Sequence, residues 1–178
     1  MRIFCCIVAA TSVLWLGACA QMGAPSGTPL SATIRQVTPE GEGESFGTIV
    51  FRDSRYGLYI EPNLVNMQPG PHALHVHENP SCAPGADGTP AGGAGNHYDP
   101  AGTGVHAGPY GDGHLGDLPN LVVENDGTAR VPIVAPRVTV ADLAGRALVI
   151  HAGADRYDSH AEHQHGTGGS RMYCGLIR

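Results

Sequence analysis

The chain has 178 residues, 42% of them apolar and only 15% charged, with 26 glycines and 14 prolines. That length suits one domain with a core of its own, and the apolar share excludes a low-complexity, disordered chain. The formal charge is −6, with arginine supplying every basic side chain and lysine absent, which excludes the basic face that a nucleic-acid surface needs.

The N-terminal "MRIFCCIVAATSVLWLGACA" reads as a targeting segment: Arg2, an apolar stretch to Leu16, then small residues. The stretch is too short for a comfortable membrane span. Leu16-Gly17-Ala18-Cys19 resembles a bacterial lipoprotein box with Cys19 as the acylated residue, while Ala18-Cys19-Ala20 also satisfies an A-x-A cleavage site that would release a soluble protein. Residues 1–18 are thus expected to be removed as a lipoprotein-type signal, and 19–31, containing "QMGAPSGTPLS", to form a flexible tether. The membrane becomes a partner through lipid only if Cys19 is acylated. Cys82 and Cys174 are the cysteines left in residues 32–178. In an oxidising compartment they most simply pair, although sequence leaves the geometry open.

Short β-type runs separated by turn signals follow: "ATIRQVT", "FGTIVFRD", "GLYIEPNL", "HALHVHE", then "LVVENDGTARVPIV" as a hairpin about Asn125-Asp126-Gly127, then "RALVIHAG" and "RMYCGLIR". No long segment has helical periodicity; "TVADLAG" suits a single turn. The pattern predicts an all-β fold, an antiparallel sandwich or barrel of seven or eight strands. Residues 79–119 and 152–170 interrupt it. Loops that long need a function or something to pin them, and the first is expected to be held by ligands and a crosslink rather than by a core.

Side chains alternate along a strand, so in "GPHALHVH" His75 and His77 share one face, while His72, Leu74 and Val76 share the other. His72 is therefore expected in the core, bonded to backbone carbonyls. Two neighbouring histidines are a weak signal alone. His97, His106, His114 and Asp117, all in the long loop, add a set that suits tetrahedral zinc. His151, ending "RALVIH", brings the strand-borne imidazoles to an all-nitrogen set suited to copper or zinc.

Together, "GPHALHVH", "GNHYDP", "TGVHAGP", "GHLGDLP", "LVIHAG" and "GGSRMYCG" resemble the copper/zinc superoxide dismutases of the bacterial exported branch, across nearly the whole of residues 32–178 and in that family's order. The resemblance implies an eight-stranded antiparallel Greek-key β-barrel with one copper and one zinc per chain. It implies that His75, His77, His97 and His151 bind copper, and that His97, His106, His114 and Asp117 bind zinc, His97 being shared. It further implies a Cys82–Cys174 disulfide, Arg171 guiding an anionic substrate, and Asp155 linking ligands of both metals. The implied activity is dismutation of superoxide to dioxygen and hydrogen peroxide in the periplasm or at the outer membrane, with His97 and Arg171 catalytic. A homodimer stays open.

Ala73-Leu74 stands where the family usually has Gly-Phe. His160, His163 and His165 stand where lysines are more typical, which leaves the steering pattern open; Arg156 is a weaker steering candidate. One hypothesis is that protonation of those three histidines strengthens steering in acid; a metal-capturing segment is another. The alternative function is a non-catalytic copper/zinc-binding lipoprotein of the same fold. Such a protein is expected to lose the shared histidine or the guiding arginine, and both are present. A disulfide-bonded adhesion module leaves the ordered donors unexplained, and a metallohydrolase lacks an obvious general base beside them.

Overall fold

Alternating apolar residues decide how the barrel is built. The structure, a computed structural model, describes residues 27–158 and 168–178. The targeting segment with Cys19, most of the tether, and His160, His163 and His165 lie outside the described residues. Three long strands lead: β1 (Leu30–Thr38), β2 (Gly41–Ser54) and β3 (Gly57–Leu64). In β3, Leu58, Ile60 and Leu64 are fully buried while Tyr59, Glu61 and Asn63 point away, the period of two expected for a half-buried strand. Ile34, Ile49 and Phe51 supply the same inward face from β1 and β2. Each such side chain, fully buried, contributes about 1.5–3 kcal/mol.

The remaining strands are β4 (Gly70–His72), β5 (Leu74–His77), β6 (Leu121–Val123), β7 (Ile133–Ala135), β8 (Ala147–His151) and β9 (Arg171–Leu176). The main sheet runs β5-β8-β9-β1-β2-β3-β7, and β4 pairs with β6. Every pairing is antiparallel. β4 and β5 are one chain segment interrupted at Ala73, so the ring continues from β6 through that segment to β8. Counting them together gives eight strands among the described residues, in a Greek-key β-barrel. The segment "HALHVHE", expected as one strand, changes partner at Ala73. There the backbone bonds Gly153 and His151 instead, with Ala73 N donating to Gly153 O at 2.7 Å.

The expected hairpin differs too. A tight turn forms at Asp126-Gly127, where Glu124 N donates to Thr128 O at 2.8 Å and Gly127 adopts φ +79°. Its two flanking strands nevertheless pair with β4 and β3, not with each other. Burial of Leu121 and Val123 in the barrel outweighs a purely local register. "TVADLAG" does form one helical turn, α1 (Val140–Leu143), closed by a reciprocal Thr139–Asp142 capping box.

The long loop also departs from expectation. A disulfide joins Cys82 to Cys174 of β9 with Cα atoms 5.7 Å apart. Beneath the loop lies a second apolar cluster of Val37, Cys82, Ala91, Ala94, Ala147, Val149 and Cys174. The loop therefore has a small core of its own, on the outer wall of the barrel.

Candidate metal centre

The β5–β8 register pairs His75 with Val149 and His77 with Ala147. Leu74, Val76, Leu148 and Ile150 enter the barrel core, so by alternation His75, His77 and His151 stand on the opposite face, outside the barrel and under the loop. The loop is stitched to that face by backbone bonds. Tyr98 N donates to Val76 O and Val76 N to Gly116 O, both at 2.9 Å, which carries His97 and Asp117 beside His77 and His75. Gly116 is required at this seam: a Cβ there would run into the Val76 carbonyl oxygen. All the predicted ligands are buried, at 7% exposure or less.

Hydrogen bonds fix which ring nitrogen carries each proton. His77 Nδ1 donates to Gly95 O at 3.0 Å and His151 Nδ1 to Gly169 O at 2.8 Å, leaving both Nε2 atoms as lone-pair donors. His75 Nε2 donates to Asp155 Oδ2 at 2.9 Å, so its Nδ1 bears the lone pair. That Nδ1 lies 3.2 Å from His151 Nε2, which brings two lone pairs face to face. His106 Nε2 donates to Asp155 Oδ1 at 2.9 Å. Its Nδ1 then faces Asp117 Oδ2 at 2.9 Å, yet neither atom makes a hydrogen bond. His77 Nε2 and His114 Nδ1 are likewise buried without a hydrogen-bond partner. Buried lone pairs converging on one another are costly unless a cation lies between them.

Two donor groups result. His75, His77, His97 and His151 form one, and His75, His97, His106 and Asp117 the other, with ligand atoms in each within 4.8 Å of one another. His75 and His97 belong to both, and of the two it is His97 that faces the carboxylate, its Nδ1 2.7 Å from Asp117 Oδ1. His114 joins the second side, its Nδ1 3.6 Å from Asp117 Oδ1 and its ring 5.4 Å from that of His97. The all-imidazole group fits copper, and the imidazole-plus-carboxylate group fits zinc.

The electrostatics agree with neutral, metal-ready imidazoles on the first side. Burial holds His75 and His77 well below the usual histidine range, and His97 adds to the effect. Burial likewise lowers His97, and takes His151 down to about 4. His106 is the exception. Burial would lower it too, but Asp117 and Asp155 on either side raise it to about 10. Burial opposes ionisation of Asp117 and Asp155, but His106 foremost, with His97 beside the first and His75 beside the second, holds both well below the usual carboxylate range.

Asp155 thus touches one histidine of each group. Arg171 lies beside the first group, donating from Nη1 to Ala91 O at 2.6 Å and from Nη2 to Gly95 O at 2.7 Å, the carbonyl that also accepts from His77. Arg156 is exposed at the surface with Asp158 Oδ2 3.7 Å away, which reduces its outward field. His72 is in the core as expected, Nδ1 2.7 Å from His151 O and Nε2 2.8 Å from Gln68 O.

Sequence reasoning missed Asn120. Its amide donates to Asp155 O at 2.9 Å and accepts from Asp155 N at 2.8 Å, while its own N–H donates to the Tyr157 hydroxyl at 2.7 Å. No periodicity or spacing singles out that asparagine. The carbonyls of Gly95 and Gly169, which set the tautomers of His77 and His151, are equally invisible to side-chain patterns.

Residues 45–177 match the family model described as copper/zinc superoxide dismutase (SODC). The chain is 44% identical over 153 residues to a superoxide dismutase [Cu-Zn] of Brucella abortus biovar 1 (strain 9-941), covering 83% of this chain and 88% of that one. Its fold is similar to the solved copper/zinc superoxide dismutase of Brucella abortus, with TM-score 0.80 and 42% identity over 85% of this chain and all (100%) of the other. It is also similar to the solution structure of the monomeric copper, zinc enzyme of Salmonella enterica, with TM-score 0.75 and 41% identity over 85% of this chain and 100% of that one.

Proposed function

This chain belongs to the copper/zinc superoxide dismutase family, and from that premise we propose which of its residues carry the chemistry. It is an oxidoreductase that converts superoxide to dioxygen and hydrogen peroxide, with copper and zinc as cofactors. Copper, when bound, supplies a one-electron couple that takes an electron from one superoxide and gives it to the next, and zinc supplies a fixed positive charge.

We assign His75 Nδ1 and the Nε2 atoms of His77, His97 and His151 to copper, and His97, His106 and His114 through Nδ1, with an oxygen of Asp117, to zinc. The observation that carries this is that, of the two histidines common to both donor groups, His75 gives its Nε2 edge to Asp155, whereas His97 turns its Nδ1 edge to Asp117 of the second group. With Nε2 free of copper, His97 would hold and hand on a proton at that atom, while its Nδ1 edge stays registered against Asp117. Asp155 keeps the Nε2 protons of His75 and His106 in place, so that Nδ1 of each presents a lone pair. Arg171, fixed by two carbonyls, receives the superoxide anion beside His77. A positive group there offsets the repulsion of an anion by a chain of net charge −6, whose distant charges are screened beyond roughly 8–10 Å.

We further propose that the enzyme domain runs from Leu30, where β1 begins two residues before the expected boundary at 32, to residue 178, that residues 1–18 direct export, and that Cys19 is acylated. The sequence of residues 1–20 and the Cys82–Cys174 bridge, a bond that persists in oxidising compartments, support this placement in the periplasm or on its membrane. Metal analysis of the purified domain with a superoxide-decay assay, with and without copper, tests the function. The proposal expects copper and zinc at one each per chain and decay that depends on copper. Decay indifferent to copper would refute it.

A further inference from the structure

On the zinc side of the site the surface opens into a cavity of about 260 Å³, walled by Glu78, Asn96, His97, Asp99, Gly104 and His114. His97 and His114, two of the proposed zinc ligands, reach its wall, and His114 is only 7% exposed with Nδ1 making no hydrogen bond. Arg171 belongs to a neighbouring cavity that shares Asn96 with the first and is walled also by Gly85, Asp87, Thr89 and Gly92. The cavity that reaches the proposed zinc ligands is therefore lined by two carboxylates, whereas the Arg171 cavity carries an arginine and one aspartate and none of the proposed ligands.

We propose that this acidic cavity is the entry route for zinc, with Glu78 and Asp99 drawing the divalent cation in and passing it to His114. The inference rests on the reading of His97, His106, His114 and Asp117 as the zinc set. Both carboxylates are anchored at the cavity. Glu78 Oε1 accepts from Asn96 N at 3.1 Å. Asp99 Oδ2 accepts from Gly104 N at 2.8 Å, and both its oxygens accept from the Thr103 hydroxyl at 3.2 Å. Arg146 stands behind Glu78, its guanidinium 3.5 Å above the Tyr98 ring and bonded to the Glu78 carbonyl, and does not line the cavity. Superoxide and zinc carry opposite charges, so one opening cannot favour both. Separate arginine and carboxylate mouths resolve that conflict. An attraction of this kind acts on the rate of capture, because the carboxylates are passed on the way in and lie outside the final donor set.

The test is stopped-flow zinc uptake by the full-length, disulfide-intact protein after its metals are removed, read with a chromophoric zinc indicator at low and high salt. Wild type is compared with E78Q/D99N, whose amides keep an oxygen acceptor for Asn96 N and Gly104 N, and with E124Q/D126N on the distant turn. The expected result is uptake about three- to tenfold slower in E78Q/D99N, with weaker salt dependence. Its equilibrium zinc affinity stays at the wild-type value, because release slows equally, and E124Q/D126N matches wild type. Uptake unchanged in E78Q/D99N, or slowed as much by E124Q/D126N, overturns the route while leaving the ligand set standing. Equal uptake with faster release in E78Q/D99N also overturns it, by making the two carboxylates supports of the bound ion. A wild-type protein that takes up no tight zinc overturns the ligand reading and the route together.

Discussion

Replacing Asp155 by asparagine leaves the shape of the site nearly unchanged and removes a negative charge together with the second hydrogen-bond acceptor. The native carboxylate accepts from His75 Nε2 and His106 Nε2, each at 2.9 Å, and is 3% exposed. An asparagine offers one oxygen and one NH2, so one ring N–H must face a donor. That ring escapes only by moving its proton to Nδ1, the atom whose lone pair the metal needs. The loss of a charge-assisted hydrogen bond in a buried site is about 1.5–3 kcal/mol. Since about 1.4 kcal/mol is a factor of ten, metal affinity is expected to fall about 10–100-fold. Zinc suffers more than copper, because His106 has carboxylates on both sides, whereas copper would keep the imidazoles of His77, His97 and His151 beside His75. Competition with a chelator of known zinc affinity, on protein whose disulfide and fold are checked by circular dichroism, measures the effect. Wild-type zinc affinity in folded D155N would refute the argument that this carboxylate sets the tautomers.

The other expectations concern substrate guidance, the crosslink and acid. Arg171→Gln is expected to lower the superoxide-decay rate about tenfold and flatten its salt dependence while copper and zinc content stay constant; an unchanged rate would show that Arg171 only braces the loop. Serine at both Cys82 and Cys174 opens a span of 92 residues and is expected to cost about 4–5 kcal/mol in denaturant unfolding; a loss below about 1 kcal/mol contradicts the loop-closure account. In protein stripped of metal, stability is expected to fall between about pH 7 and pH 5. His151 stands at about 4 in the fold against 6.5 unfolded, so the unfolded chain binds the proton first and acid favours it, by about 2 kcal/mol at about pH 5. His75, His77 and His97 act in the same direction. His106, raised to about 10, contributes stability below 6.5 that is lost only as pH climbs toward 10, so it does not reverse the trend. Equal denaturant midpoints at the two pH values would contradict it.

What could be read from the sequence was what alternation and spacing encode. A two-residue period placed His75 and His77 on one face and His72 on the other, and the outer face of β5 and β8 is where the donors gather. The loop donors were legible as residue types in an irregular segment. Their convergence was not, because it depends on backbone bonds from Tyr98 and Gly116 to Val76. The split of one predicted strand at Ala73 escaped notice because a change of hydrogen-bond partner leaves no mark on side-chain order. The hairpin about Asp126-Gly127 was misread for a related reason: the turn residues are local, whereas the pairing of β6 and β7 is settled by distant strands. Asn120 illustrates the same limit, a polar side chain that acts entirely on the backbone of Asp155.

The account stands or falls on His97. Crystals of the fully metal-loaded protein, measured by anomalous scattering at the copper and zinc edges, give the most direct answer. The prediction is one ion of each kind on opposite edges of that ring, copper beside His75, His77 and His151, and zinc beside His106, His114 and Asp117. A loaded crystal in which the His97 ring touches only one ion, or neither, would contradict it.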